Sequence, residues 1–202
     1  MAALNSLIIA LFSGILGVSI ALSIANFLIL SAFFSKYIEI LSIFILATSP
    51  IVMGTGIFLI LRPFINLEIL TPILVILINA TMSLPFILRA LLPAMNKVSS
   101  DIGKLSDSLN ITGFNRFKII IFPNIFPVVT FCMGLGCALS MGDLGVITLF
   151  SFGDIQTLPL AIFRLMMSYK MDYAFSGSVL LIILCFLLFY LFDNIGKLYA
   201  SS

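Results

Sequence analysis

The sequence predicts an all-α protein: a polytopic membrane bundle of five transmembrane helices with a helical loop on the cytoplasmic side. Three observations carry this. The 202 residues are 62% hydrophobic and only 9% charged, where a soluble domain carries about 25% charged residues. The few charges are segregated, leaving five apolar runs of the length that crosses a bilayer, about 20 residues each. The alternating pattern of a β-barrel strand is absent. With 10 Lys+Arg and 8 Asp+Glu, the chain cannot coat a soluble globule of this size. That excludes an ordinary cytosolic enzyme, a disordered tail and a nucleic-acid binder, whose phosphate contacts need clustered basic charge. There is no His, so His-based triads and His-containing zinc sites are excluded as well.

The elements follow in order, as one transmembrane domain over 1–202. The spans are expected at about 4–34, 38–61, 69–88, 119–141 and 172–192. The first run is too long for a signal peptide and lacks a basic start, so it is read as a retained helix. Pro50, Gly54 and Gly56 interrupt the second, and Pro72 and Pro85 bracket the third; such breaks need neighbouring protein to re-satisfy the backbone. Beyond span four, 143–159 is apolar but too short to span, which predicts a partly inserted helix followed by an interfacial turn at 160–167. Cys132, Cys137 and Cys185 lie inside apolar runs and read as small helix residues, not as a disulfide framework.

Orientation follows from Lys and Arg near the spans. Arg89, Lys97, Lys104, Arg116 and Lys118, with Lys36 and Lys197, place seven basic residues on one side; Arg62, Arg164 and Lys170 place three on the other. The amino terminus is therefore expected outside and the carboxyl terminus in the cytoplasm. Tyr37, Tyr169, Tyr173, Tyr190 and Tyr199 fall near span ends, as interfacial anchors do.

The loop over 89–118 has a helical pattern of its own. Met95, Val98, Ile102, Leu105 and Leu109 form one apolar stripe, and Lys97, Asp101, Lys104, Asp107 and Ser108 occupy the other face. Ser99, Ser100 and Asp101 are candidate caps for a break within it, and Asn110 and Gly113 supply a stop. An amphipathic helix so placed docks on the membrane, on its own bundle or in a partner's groove.

Here the residues resemble the permeases of ABC importers, which carry a cytoplasmic motif of E-A-A, three residues, G, nine residues and I-x-L-P. Ile120, Phe122 and Pro123 fit its end, with Phe for Leu; the G position falls on Asn110 and the E-A-A positions on Lys104, Leu105 and Ser106. The spacing matches and those letters do not. More specifically, 138–150 (ALSMGDLGVITLF), Thr157-Leu158-Pro159-Leu160, Ser168-Tyr169 and Gly113-Phe114-Asn115-Arg116-Phe117-Lys118 resemble bacterial thiamine-transporter permeases, whose own E-A-A is degenerate. The resemblance is to the C-terminal half of a permease with two homologous halves in one polypeptide. A split half, a truncated product and a half that pairs with a second protein all stay open.

The resemblance implies a type I ABC importer permease fold in the bacterial inner membrane. It implies import of thiamine or its phosphates, with ferric iron, sulphate or polyamine as alternative cargo and a non-transport structural subunit as the alternative role. It also implies three partners: a cytoplasmic ATPase, an outer substrate-binding protein and a second permease half. No cofactor is expected in the chain itself; no G-x-x-x-x-G-K-[ST] loop occurs, so ATP belongs to the partner. Residues 99–112 would form a coupling helix on the ATPase, with Leu105, Ser106, Asp107, Ser108, Asn110 and Gly113 at the contact. Ile120 and Pro123, followed by Pro127, would set the angle to span four.

Asp143 is the most informative single residue, because an acid at bilayer depth marks a pathway or a pairing. Two roles are open: lining the translocation path against a cationic group such as a thiazolium, or capping a short helix over 144–150. Asn79 is a second candidate for the path; with Thr81 and Ser83 it equally suits bonding between helices. Arg62, Glu68, Asp154 and Asp172 lie in outer loops, where a binding protein would dock.

Overall fold

In the computed structural model the described residues are 1–30, 35–61, 67–108, 113–149 and 156–201. They form helices α1 (Ala2–Leu30), α2 (Ser35–Ala47), α3 (Pro50–Leu61), α4 (Leu67–Ser108), α5 (Gly113–Arg116), α6 (Phe122–Met141), α7 (Gly145–Leu149), α8 (Leu158–Met167) and α9 (Met171–Ser201), with a π-helical turn at Phe117–Ile121. No strand occurs among them, so the fold is all-α as expected. Among the described residues, four helices are long and apolar enough to cross a membrane, and a fifth crossing is made if the bent pair α2–α3 counts as one span.

The core places both halves of that pair against α4. On one side of the bend, Ile38 of α2 lies with Leu88 and Leu92 of α4 and packs against the core that includes Leu88, Leu91 and Met95. On the other, Met53, Ile57 and Leu61 of α3 pack with Leu74, Val75 and Ile78 of α4, Val146 of α7 and Leu160 of α8. The pair therefore follows the apolar part of α4, from the Leu88–Leu92 region to Leu74–Ile78, with a 92° bend between its halves. The bend has a local cause. Ser49 O accepts from Met53 N–H at 3.1 Å to start α3, and Pro50, with no N–H to lose, takes the first helical position.

α4 departs most from expectation. Span three and the helical part of the loop are one continuous rod of 42 residues, about 63 Å long at 1.5 Å per residue. No break occurs at Ser99–Asp101; Ser100 Oγ instead bonds back to Lys97 O at 2.8 Å. Nothing at the membrane surface stops an i→i−4 ladder, so the change from apolar to charged sequence alters the helix's solvent and not its backbone. Pro72, Pro85 and Pro93 lie within the rod. Ahead of Pro85, the Thr81 and Ser83 hydroxyls bond back to Leu77 O and Ala80 O, so neither hydroxyl is left unpaired in apolar surroundings.

α1, α4 and α6 form the centre of the bundle, and α9 lies along α6. Burial separates their roles: 61% of the apolar window of Thr71–Ile102 is inside the protein, against 6% for Met171–Ala200. α9 thus presents its apolar surface outward, as a lipid-facing helix does. Two ends can be told apart. At the amino-terminal end, Leu158 N–H donates to Ser6 Oγ at 2.7 Å and Asn5 Nδ2 to Gln156 O at 3.1 Å, tying α8 to α1. At the basic end, Arg116 Nη2 donates back to Ser99 Oγ at 3.4 Å, and the ring of Tyr199 of α9 packs at a tilt against Phe126 with centroids 4.5 Å apart.

Candidate functional site

A cavity of about 470 Å³ lies where α2 breaks into α3, bounded by α4 and the end of α6. Asn79 on its wall is 12 residues along α4 from Leu67, about 18 Å from that end of the helix and inside its apolar, span-length stretch Thr71–Ile102. Its polar lining is Thr48, Asn79, Ser83, Ser140 and Asp143, and Phe86 supplies an aromatic wall.

Asp143 reaches this cavity because α6 ends before it. Gly142 closes the helix, and the chain turns at once into α7. Asp143 Oδ1 accepts from Gly145 N–H at 3.1 Å and Val146 N–H at 3.4 Å, the pattern of an N-cap. The second oxygen, Oδ2, is buried and has no hydrogen-bond partner. The Asn79 amide lies beside the carboxylate but donates across the helices to Ser140 Oγ at 3.0 Å. The geometry therefore shows the capping role: one oxygen organises α7, and the other is buried without a hydrogen-bond partner beside the cavity that Asp143 lines. α7 is clamped on its far side, since a Cβ on Gly145 would come within 2.8 Å of Ile51 Cγ1 in α3. Capped α7, the break at Pro50 and the cavity are thus one connected unit.

The structure brings Asp143 and Asn79 together; it places the other expected site residues elsewhere. Leu105, Ser106, Asp107 and Ser108 are the last turn of α4. Asn110 lies outside the described residues, and Gly113 opens α5. Ile120 belongs to the π-helical turn, and Pro123 is in the first turn of α6. That turn has a cause in Pro123, whose ring disfavours the regular i−4 acceptor; Phe122 N–H bonds instead to Phe117 O. π-turns of this kind are frequent at functional sites. The Arg116–Ser99 bond ties the chain beyond the loop to α4 at its base. Sequence reasoning missed Thr48, Phe86 and Ser140. For Ser140 a signal was present, since it lies one turn before Asp143 on the face that meets Asn79.

Replacing Ser140 by Ala should leave Asn79 without its acceptor and lower stability by about 0.6 kcal/mol, the mean for hydrogen bonds between membrane helices. The Asn79→Ala/Ser140→Ala double variant should cost less than the sum of the two single variants in a double-mutant comparison of unfolding in detergent, because either single change already breaks the shared bond.

No protein-family model matches the chain. It is 37% identical over 150 residues to the thiamine transport system permease protein ThiP of Brucella abortus, covering 74% of this chain and 28% of that protein. Against the protein of the same name in Salmonella typhimurium it is 31% identical over 170 residues, 84% of this chain and 32% of that one. The Escherichia coli protein is 32% identical over 160 residues, covering 79% and 30% respectively. A sulfate transport system permease protein, CysW of Synechococcus elongatus, is 24% identical over 102 residues, 49% of this chain. The chain spans about 28–32% of the length of its thiamine-permease relatives, matching their C-terminal part. The resemblance read from the sequence is thereby found: over about three quarters of its length, this multi-pass α-helical chain is similar to the C-terminal part of bacterial thiamine transport permeases.

Proposed function

We propose that the chain forms half of the membrane pore of an ABC importer for thiamine or its phosphates in the bacterial inner membrane. The observation that carries this reading is the likeness to thiamine permeases over most of the chain. The cavity agrees with it chemically. A carboxylate with an unpartnered oxygen at bilayer depth is costly unless it meets a cation, and thiamine carries a permanently charged thiazolium. A sulphate path, the alternative that the weaker likeness to a sulphate permease offers, is disfavoured by the same carboxylate, which would repel a dianion.

In this reading Asp143 faces the cation and Asn79 holds the wall opposite through Ser140. The basic end of the bundle, with seven of the ten Lys and Arg residues, lies in the cytoplasm and the amino terminus outside. The continuous α4 then acts as a lever: its last turn, 105–108, reaches an ATPase subunit while its middle lines the cavity. Force applied at that turn travels along an unbroken helix, and the π-turn and Pro123 carry it into α6. Asn110 and Gly113 complete the contact beyond it. The chain performs no chemistry; ATP is hydrolysed by the partner, and an outer binding protein delivers the ligand.

Reconstituted with its pairing half and the ATPase, the chain should show several-fold stimulation of ATP hydrolysis by thiamine-loaded binding protein. No stimulation with every component present would reject the cargo. Ser108→Trp or Asn110→Trp should abolish co-purification of the ATPase, and undiminished pull-down would reject the coupling role of this turn.

A further inference from the structure

A second cavity, of about 280 Å³, lies between α2 and α4 on the basic side of the first. Its walls are apolar, with Ile38, Leu88, Leu92 and Pro93 prominent, and its charged group is Arg89. Ser42 also lines it, but its hydroxyl already donates to Ile38 O at 2.8 Å. Arg89 is exposed, and among the described residues it has neither an ion-pair nor a hydrogen-bond partner. Arg89 is eight residues before Lys97 on α4, about 12 Å along the axis, so it sits where an apolar span gives way to the basic end. Lys36, also exposed, lies on the first turn of α2 two residues before Ile38.

A hydrophilic solute would find one donor and four apolar walls here. An amphiphile finds both its needs: a slot for hydrocarbon and, at the slot's edge, a guanidinium whose fork matches phosphate oxygens. Basic pockets between membrane helices on the cytoplasmic side take anionic lipid headgroups for this reason. We propose that the α2–α4 cleft at Arg89 binds one anionic phospholipid, with the phosphate on Arg89, supported by Lys36, and an acyl chain against Leu88 and Leu92. The lipid would then wedge α2 from the basic side, on the half of the bent span that leads to the Thr48–Pro50 break. The proposal is independent of the cargo.

The test uses the full chain assembled with its partner subunits in detergent, incubated with equal amounts of phosphatidylglycerol and phosphatidylcholine, with retained lipid read by native mass spectrometry. Wild-type protein should retain phosphatidylglycerol about fivefold over phosphatidylcholine, the preference one basic residue near a membrane surface confers. Arg89→Gln should remove most of the preference and Arg89→Lys should keep most of it. Leu92→Trp, which fills the slot and leaves the charge in place, should lower phosphatidylglycerol retention as well. Equal retention of the two lipids by the wild type, an undiminished preference in Arg89→Gln, or unchanged retention in Leu92→Trp would overturn the proposal. So would displacement of phosphatidylglycerol by soluble glycerol phosphate, which would mark a site for the phosphate alone.

Discussion

Leucine at Gly136 is expected to unfold the protein at a markedly lower temperature, by about 6–12 °C for a loss near 3 kcal/mol. The reason is how α1 and α6 cross. A Cβ at Gly136 would lie 3.3 Å from Gly14 Cα, and one at Gly14 would lie 2.7 Å from Cys137 Sγ and 3.3 Å from Met133 O. The two backbones are in near contact, as small residues allow between membrane helices. Leucine adds three more heavy atoms beyond that Cβ, in a gap already closed by Gly14 Cα at 3.3 Å and Ile87 Cδ1 at 3.6 Å. The relief is separation of α1 from α6, which loosens buried Cys132, Ile87 and Val18 at the same crossing. Gly56→Leu is the matched control, because a Cβ there meets nothing within 4 Å, and its melting temperature should stay within about 2 °C of the wild type. Equal shifts in the two variants would show that helix propensity and not the crossing decides.

The second large effect is expected at Asp143, where two substitutions separate its two oxygens. Asp143→Asn keeps a side-chain carbonyl to accept from Gly145 and Val146, so α7 should remain capped and the melting temperature nearly unchanged. It replaces the charged carboxylate by a neutral amide, and transport of a cationic ligand should fall tenfold or more. Asp143→Ala removes both functions and should cost about 1 kcal/mol of stability besides, the ordinary loss of an N-cap. The contrast is diagnostic. Asn transporting at the wild-type rate while Ala is impaired would reduce Asp143 to a cap, and the cation would have to be met elsewhere in the cavity.

The bundle's plan was legible because apolar runs and Lys/Arg placement report directly on which segments avoid water. The break in span two was legible too, since Pro50 cannot continue a helix ladder. Its 92° angle was not, because that depends on where Met53 and Leu61 find buried partners on α4. The continuity of α4 was misjudged for a physical reason. Ser99, Ser100 and Asp101 are capping residues only where a helix ends, and an exposed helix tolerates them in its interior when their hydroxyls bond back to the preceding turn, as Ser100 does. At the candidate site, Asp143 and Asn79 could each be singled out as polar groups in apolar surroundings. Their juxtaposition could not, since 64 residues separate them.

A capping detail at α8 shows the same division on a smaller scale. By local rules Thr157, at φ −92° and ψ 163°, is the residue to cap α8. In the folded chain its hydroxyl is buried without a partner, and Ser6 of α1 takes the Leu158 N–H instead. By itself, then, the sequence determined the helical class, the membrane environment and which polar residues were too costly to be accidental, because transfer energies and backbone rules act residue by residue. Only the tertiary structure decided which helices cross closely, which of two oxygens on Asp143 is occupied and where a cavity remains. Those depend on neighbours brought together from distant parts of the chain.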